Sequence, residues 1–257
     1  MARISTTDLV LPRLRIALPL LLTLAIPGTG FAQAPPDLSG VWGRIVSPES
    51  RPYYLHAFQP TEPPMTEWGL AKYKETKPSF GSRGVPVEHT NDPVYNGCHP
   101  PGLPRAYLHP FPIQIVNVPG REVIILYEYD HLVRHVYTDG RPHNNTATGP
   151  TWMGSSIGKW EGDTFVVDTV GFNDKTWIDR LGHPHSEELH LVERFRRIDA
   201  TTMEIDLTID DPKAYTKPWT VQLRYTLRPP EWRILELVCE DDATFTDFEK
   251  ITAAPAK

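Results

Sequence analysis

From residue 123 onward the chain alternates apolar and polar side chains with a period of two. Val123, Ile125, Tyr127 and Tyr129 fall on one face, and Met203, Ile205, Leu207 and Ile209 alternate with Thr202, Glu204, Asp206 and Thr208. The same alternation recurs at 165–168, 189–192, 219–225 and 233–238. Side chains that change sides at every residue belong to half-buried strands. Asp139-Gly140, Glu161-Gly162-Asp163, Asp199-Ala200 and Arg228-Pro229-Pro230 supply turns between the strands. Seven or more consecutive strands with short connections predict an all-β fold, an antiparallel up-and-down meander over residues 113–250. A meander of that length removes its edges by closing into a barrel.

Residues 35–112 read differently. Thirteen prolines lie between Arg44 and Pro112, and proline lacks the N–H that an interior strand donates. This stretch is expected to wrap over the meander as extended coil and turns. One short helix is predicted within it, over 66–76, with Thr66 as its cap and Trp68, Leu70 and Tyr73 available to pack. Residues 35–257 together make one domain of a size that can bury a substantial core.

The N-terminus predicts export. Arg3, Arg13 and Arg15 precede an apolar run from Ile16 to Ile26, and Ala32-Gln33-Ala34 follows. Charge, apolar run and small-residue site in that order read as a cleavable signal peptide over residues 1–34. The run is too short to cross a bilayer, which takes roughly 20 residues, so no membrane association is expected after cleavage. The expected location is periplasmic or extracellular, where Cys98 and Cys239 can form a disulfide; the alternative is two buried thiols. A net charge of −6 with interspersed signs and no basic block gives no nucleic-acid footprint.

Three groups of polar residues stand where the pattern makes them costly or useful. Glu193 shares an apolar face with Leu189, Leu191 and Phe195, and Arg134 lies between Leu132 and Val136. A buried carboxylate and a buried guanidinium each require a partner, so these two are expected to pair inside the barrel or to act as acid and base. His131 and His135 fall together on one strand face near Tyr129 and are candidate general bases. His183, His185 and His190, with Glu188 nearby, are candidate ligands of a divalent metal. No other cofactor is expected. The loop 173–179 adds acidic and aromatic side chains beside these groups. Gly154-Ser155-Ser156-Ile157-Gly158 matches Gly-x-Ser-x-Gly in spacing but lacks the pattern of a nucleophile elbow, and His-Glu-x-x-His, Cys-x-x-Cys and phosphate-cradling motifs are absent from the sequence.

Gly40-Val41-Trp42, opening the chain ahead of the meander, resembles the Gly-x-Trp start of lipocalin-like (calycin) barrels. That resemblance implies a tryptophan closing the barrel floor beside a late-strand arginine, here Arg224 or Arg233. The stretch 152–174 resembles a group of secreted bacterial proteins and brings no activity with it. The resulting expectation is a protein that binds an apolar or aromatic small molecule in a barrel lined by Tyr127, Tyr129, Trp152, Phe165 and Tyr225. The alternative is a barrel enzyme that isomerises, hydrates or hydrolyses its substrate through the His and Glu residues or a metal.

Overall fold

A computed structural model describes residues 36–144 and 149–238. Among these residues nine strands form: β1 Gly40–Arg44, β2 Ile113–Val118, β3 Glu122–Tyr127, β4 Val133–Tyr137, β5 Ser155–Glu161, β6 Thr164–Val170, β7 His190–Arg197, β8 Thr202–Asp210 and β9 Trp219–Leu227. They close into a barrel in chain order, and β9 returns to pair with β1. The all-β barrel predicted from the alternation is therefore present. Its meander is not wholly antiparallel, because β4 and β5 run parallel through Val136↔Ser156 and Tyr137↔Ile157. Parity requires this. A closed ring with an odd number of strands cannot alternate direction all the way round, so at least one neighbouring pair must be parallel.

The odd strand is β1, which lies within the stretch expected to be wrap. Its Trp42 is fully buried, and its indole N–H donates to Leu38 O at 2.9 Å. The guanidinium over Trp42 belongs to Arg197, 5.6 Å from the ring centre, and not to Arg224 or Arg233. Arg224 instead pairs on the outer surface with Glu204 at 2.7 Å. The strand expected over 233–238 does not form, and Leu237 makes a single bridge to Tyr129. With β9 already bonded to β8 and β1, no free edge is left for it, and Pro229-Pro230 ends the ladder.

Inward side chains from every strand join one apolar core. Phe58, Leu103, Tyr107 and Leu108 of the Pro-rich segment pack into the same core. The segment thus fills the barrel as well as wrapping it. Each large apolar side chain so buried contributes about 1.5–3 kcal/mol.

Helix α1, Glu67–Glu75, forms where the sequence predicts it, with Thr66 Oγ1 accepting from Gly69 N at 3.0 Å. Thr66 also donates to Lys213 O at 2.6 Å, which holds the helix against the β8–β9 connection. A second short helix, α2 over Pro93–Gly97, was not expected, although Asp92 caps it and Pro93 opens it. Among the described residues no helix is long and apolar enough to cross a membrane.

Candidate functional site

Inside the barrel, Arg134 and Glu193 meet. Arg134 Nη1 donates to Glu193 Oε1 at 2.8 Å, and Nη2 pairs with Oε2. The remaining donors of Arg134 reach Ser156 Oγ at 3.0 Å and Thr169 Oγ1 at 2.7 Å. Tyr107 Oη, brought in by the Pro-rich segment, donates to Glu193 Oε1 at 2.5 Å. Burial, and then the adjoining carboxylate, push the Tyr107 hydroxyl pKa well up. Burial alone would lower the Arg134 pKa, but the charge of Glu193 outweighs it and holds the guanidinium protonated. The strand alternation identified this pair correctly. Both side chains are sealed from solvent, the setting of a buried structural ion pair.

The side chains expected to line a ligand chamber do not share one. Tyr127, Phe165 and Tyr225 are packed into the core. Tyr129 lies past the end of β3 and stacks on His109 at 3.8 Å, because Asp130 and His131 turn the chain with positive φ. Trp152 lies in the loop before β5, its ring 5.3 Å from Lys175 Nζ. Nor do His131 and His135 face inward. His131 accepts from Leu237 N at 3.2 Å, and His135 bonds Glu122 at 2.7 Å on the outer surface.

The candidate metal ligands separate as well. His190 Nε2 lies 3.0 Å from Asp168 Oδ2, on a carboxylate that it shares with His143 at 2.8 Å. His183 is held between Asp179, at 2.5 Å, and Glu62. His185 turns to Thr176. Among the described residues no group of three or more His, Cys, Asp or Glu is arranged to hold a metal ion. Alternation places neighbouring side chains, but it cannot place loop histidines whose partners are distant in sequence. Cys239 lies outside the described residues, as do residues 1–34, the stretch expected to be a signal peptide.

A polar and aromatic cleft of about 300 Å³ does form, outside the barrel, between α1 and the loop 174–185. Trp68, Lys72 and Glu75 come from α1, Asn91 from the Pro-rich segment, and Asp174, Lys175, Thr176, Trp177 and His185 from the loop. The loop is shaped locally. Asp179 Oδ1 accepts from Leu181 N at 2.9 Å and His183 N at 3.2 Å, while Trp177 bridges to Pro184 across the turn. Gly182 adopts φ +90°, and a Cβ there would lie 2.3 Å from Thr76 Oγ1. Only glycine lets the loop approach α1 this closely.

The cleft is locked from below. Burial opposes protonation of His183, yet Asp179 and Glu62 outweigh it and raise its pKa to about 9. Tyr73 of α1 stacks on its ring at 4.7 Å and donates to Glu62 at 3.0 Å. On the cleft side, His185 Nε2 is 3.1 Å from Thr176 Oγ1, and burial lowers the His185 pKa. Sequence reasoning singled out His185 and the 173–179 loop, but it missed α1 as the opposite wall and Thr176 as a partner. The helical prediction placed Trp68 and Tyr73 in packing roles only. No protein-family model, no curated protein and no solved structure matches this chain.

Proposed function

We propose that this is an exported protein that binds a small molecule, and that the seat is the α1–loop cleft, since side chains fill the barrel. A cleft of about 300 Å³ with two indoles and both signs of charge around a buried histidine carries this reading. Aromatic walls with a few placed polar groups suit a flat apolar or aromatic ligand bearing polar substituents. Lys72 and Lys175 would meet an acidic substituent, and Glu75 or Asp174 a hydroxyl or amine. In the same reading the mature chain works in the periplasm or outside the cell, and Cys98 is joined to Cys239.

The test uses 1-anilinonaphthalene-8-sulfonate, whose fused rings and sulfonate match the indoles and lysines. Saturable 1:1 binding is expected, weakened about tenfold or more in Trp68→Ala and Lys175→Ala. Each substitution removes about 1.4 kcal/mol or more of contact at that level. Binding that does not saturate, or that both variants retain, would refute the cleft as the seat. Resistance of the folded, secreted protein to thiol alkylation until reduction checks the disulfide.

A further inference from the structure

We infer that Thr176 and His185 form a nucleophile and base at the floor of this cleft, and that the bound molecule is an ester which the pair hydrolyses. The inference rests on the cleft being the binding seat. Its carrying observation is hydrogen-bond geometry. His185 Nδ1 faces Ser186 O at 3.3 Å, a carbonyl that can only accept, so Nδ1 carries the ring proton. The lone pair is then on Nε2, 3.1 Å from Thr176 Oγ1, and the hydroxyl donates to it. Both residues line the cleft. A hydroxyl bonded to a neutral imidazole in a concave site is the arrangement that activates a nucleophile.

The base is held firmly. Pro184 O, before it, takes the Tyr215 hydroxyl at 2.6 Å. After it, Ser186 N and Oγ donate to the Asp211 carboxylate at 2.6 and 2.8 Å. Asp211 is thus a positioning residue, acting through the backbone that orients the ring. Burial, which lowers the His185 pKa, keeps Nε2 free to accept.

In the proposed reaction Thr176 Oγ bonds to the ester carbonyl carbon as its proton passes to His185 Nε2. Collapse of the tetrahedral intermediate breaks the C–O bond, and His185 returns the proton to the departing alcohol. Water, losing a proton to His185, then cleaves the acyl-threonine to release the acid, and the proton restores the hydroxyl. Ester and water give acid and alcohol.

The test treats the intact protein with a fluorophosphonate, which bonds phosphorus to an activated hydroxyl and releases fluoride and a proton, followed by peptide mass mapping. One adduct on Thr176 is expected. Thr176→Ser should retain it, Thr176→Val should lose it, and His185→Gln should slow labelling by about 10²-fold or more. An absent adduct, an adduct elsewhere, or wild-type labelling of a His185→Gln variant that melts cooperatively overturns the inference. Anilinonaphthalene sulfonate bound by a protein that takes no adduct removes the dyad and leaves the cleft. Failure of the unmodified protein to bind that probe removes both.

Discussion

Replacing Glu193 with leucine strands the Arg134 guanidinium in the barrel interior. The lost carboxylate leaves two arginine donors and the Tyr107 hydroxyl without an acceptor. Breaking one side of a fully buried pair costs about 3–5 kcal/mol. In a domain of this size each kcal/mol moves the melting temperature by about 2–4 °C. The expected fall is therefore about 6–20 °C, read by tryptophan fluorescence during thermal or urea unfolding. The double variant Glu193→Leu/Arg134→Met should recover much of the loss. Ser156 and Thr169 already bond each other at 3.0 Å, so chiefly Tyr107 would remain unsatisfied. A single variant that shifts stability by less than about 1 kcal/mol would refute the interior placement. A double variant as unstable as the sum of its parts would show that the two side chains do not couple.

Stability should also depend on pH through His183. Its folded pKa, about 9, lies above the free value of 6.5, so its contribution is complete below about pH 6.5 and is lost as pH rises through 9. His183→Gln should flatten that limb of the urea-midpoint profile, removing about 1–3 kcal/mol at neutral pH; an unchanged profile would show that the Asp179–His183–Glu62 bridge carries no stability. Gly69→Ala places a Cβ 2.2 Å from Ala214 O. Neither backbone can yield cheaply, and a loss of about 1–3 kcal/mol with weaker probe binding is expected, since α1 is a cleft wall. Asp92→Asn removes the charge facing the fully buried Arg105, which it bonds at 2.8 and 2.6 Å. Calorimetry should show a loss of about 3 kcal/mol, and a melting point within 1–2 °C of the parent would contradict the reading.

Some of this was legible because the signals are local. Thr66 ahead of an apolar-bearing run gives a capped helix wherever the chain folds. Glu193 stands out because a carboxylate interrupts an apolar strand face, and Arg134 because it does the same on its own. The filling of the barrel was not legible. Tyr107 reaches Glu193 across 86 residues, from a segment whose prolines erase any periodicity that would mark it as core. The histidines misled for a related reason: spacing brings His183, His185 and His190 close in sequence, but each finds its partner through a different turn or strand.

By itself the sequence determined that strands alternate sides, that Glu193 and Arg134 each interrupt an apolar strand face, and where a short helix begins, because each depends on neighbours within a few residues. Tertiary structure alone decided that nine strands close with one parallel pair, that the Pro-rich segment plugs the interior, and that Trp68 and His185 line one cleft. Those outcomes depend on closing the ring and on burying surfaces far apart in the chain, and no local pattern encodes either.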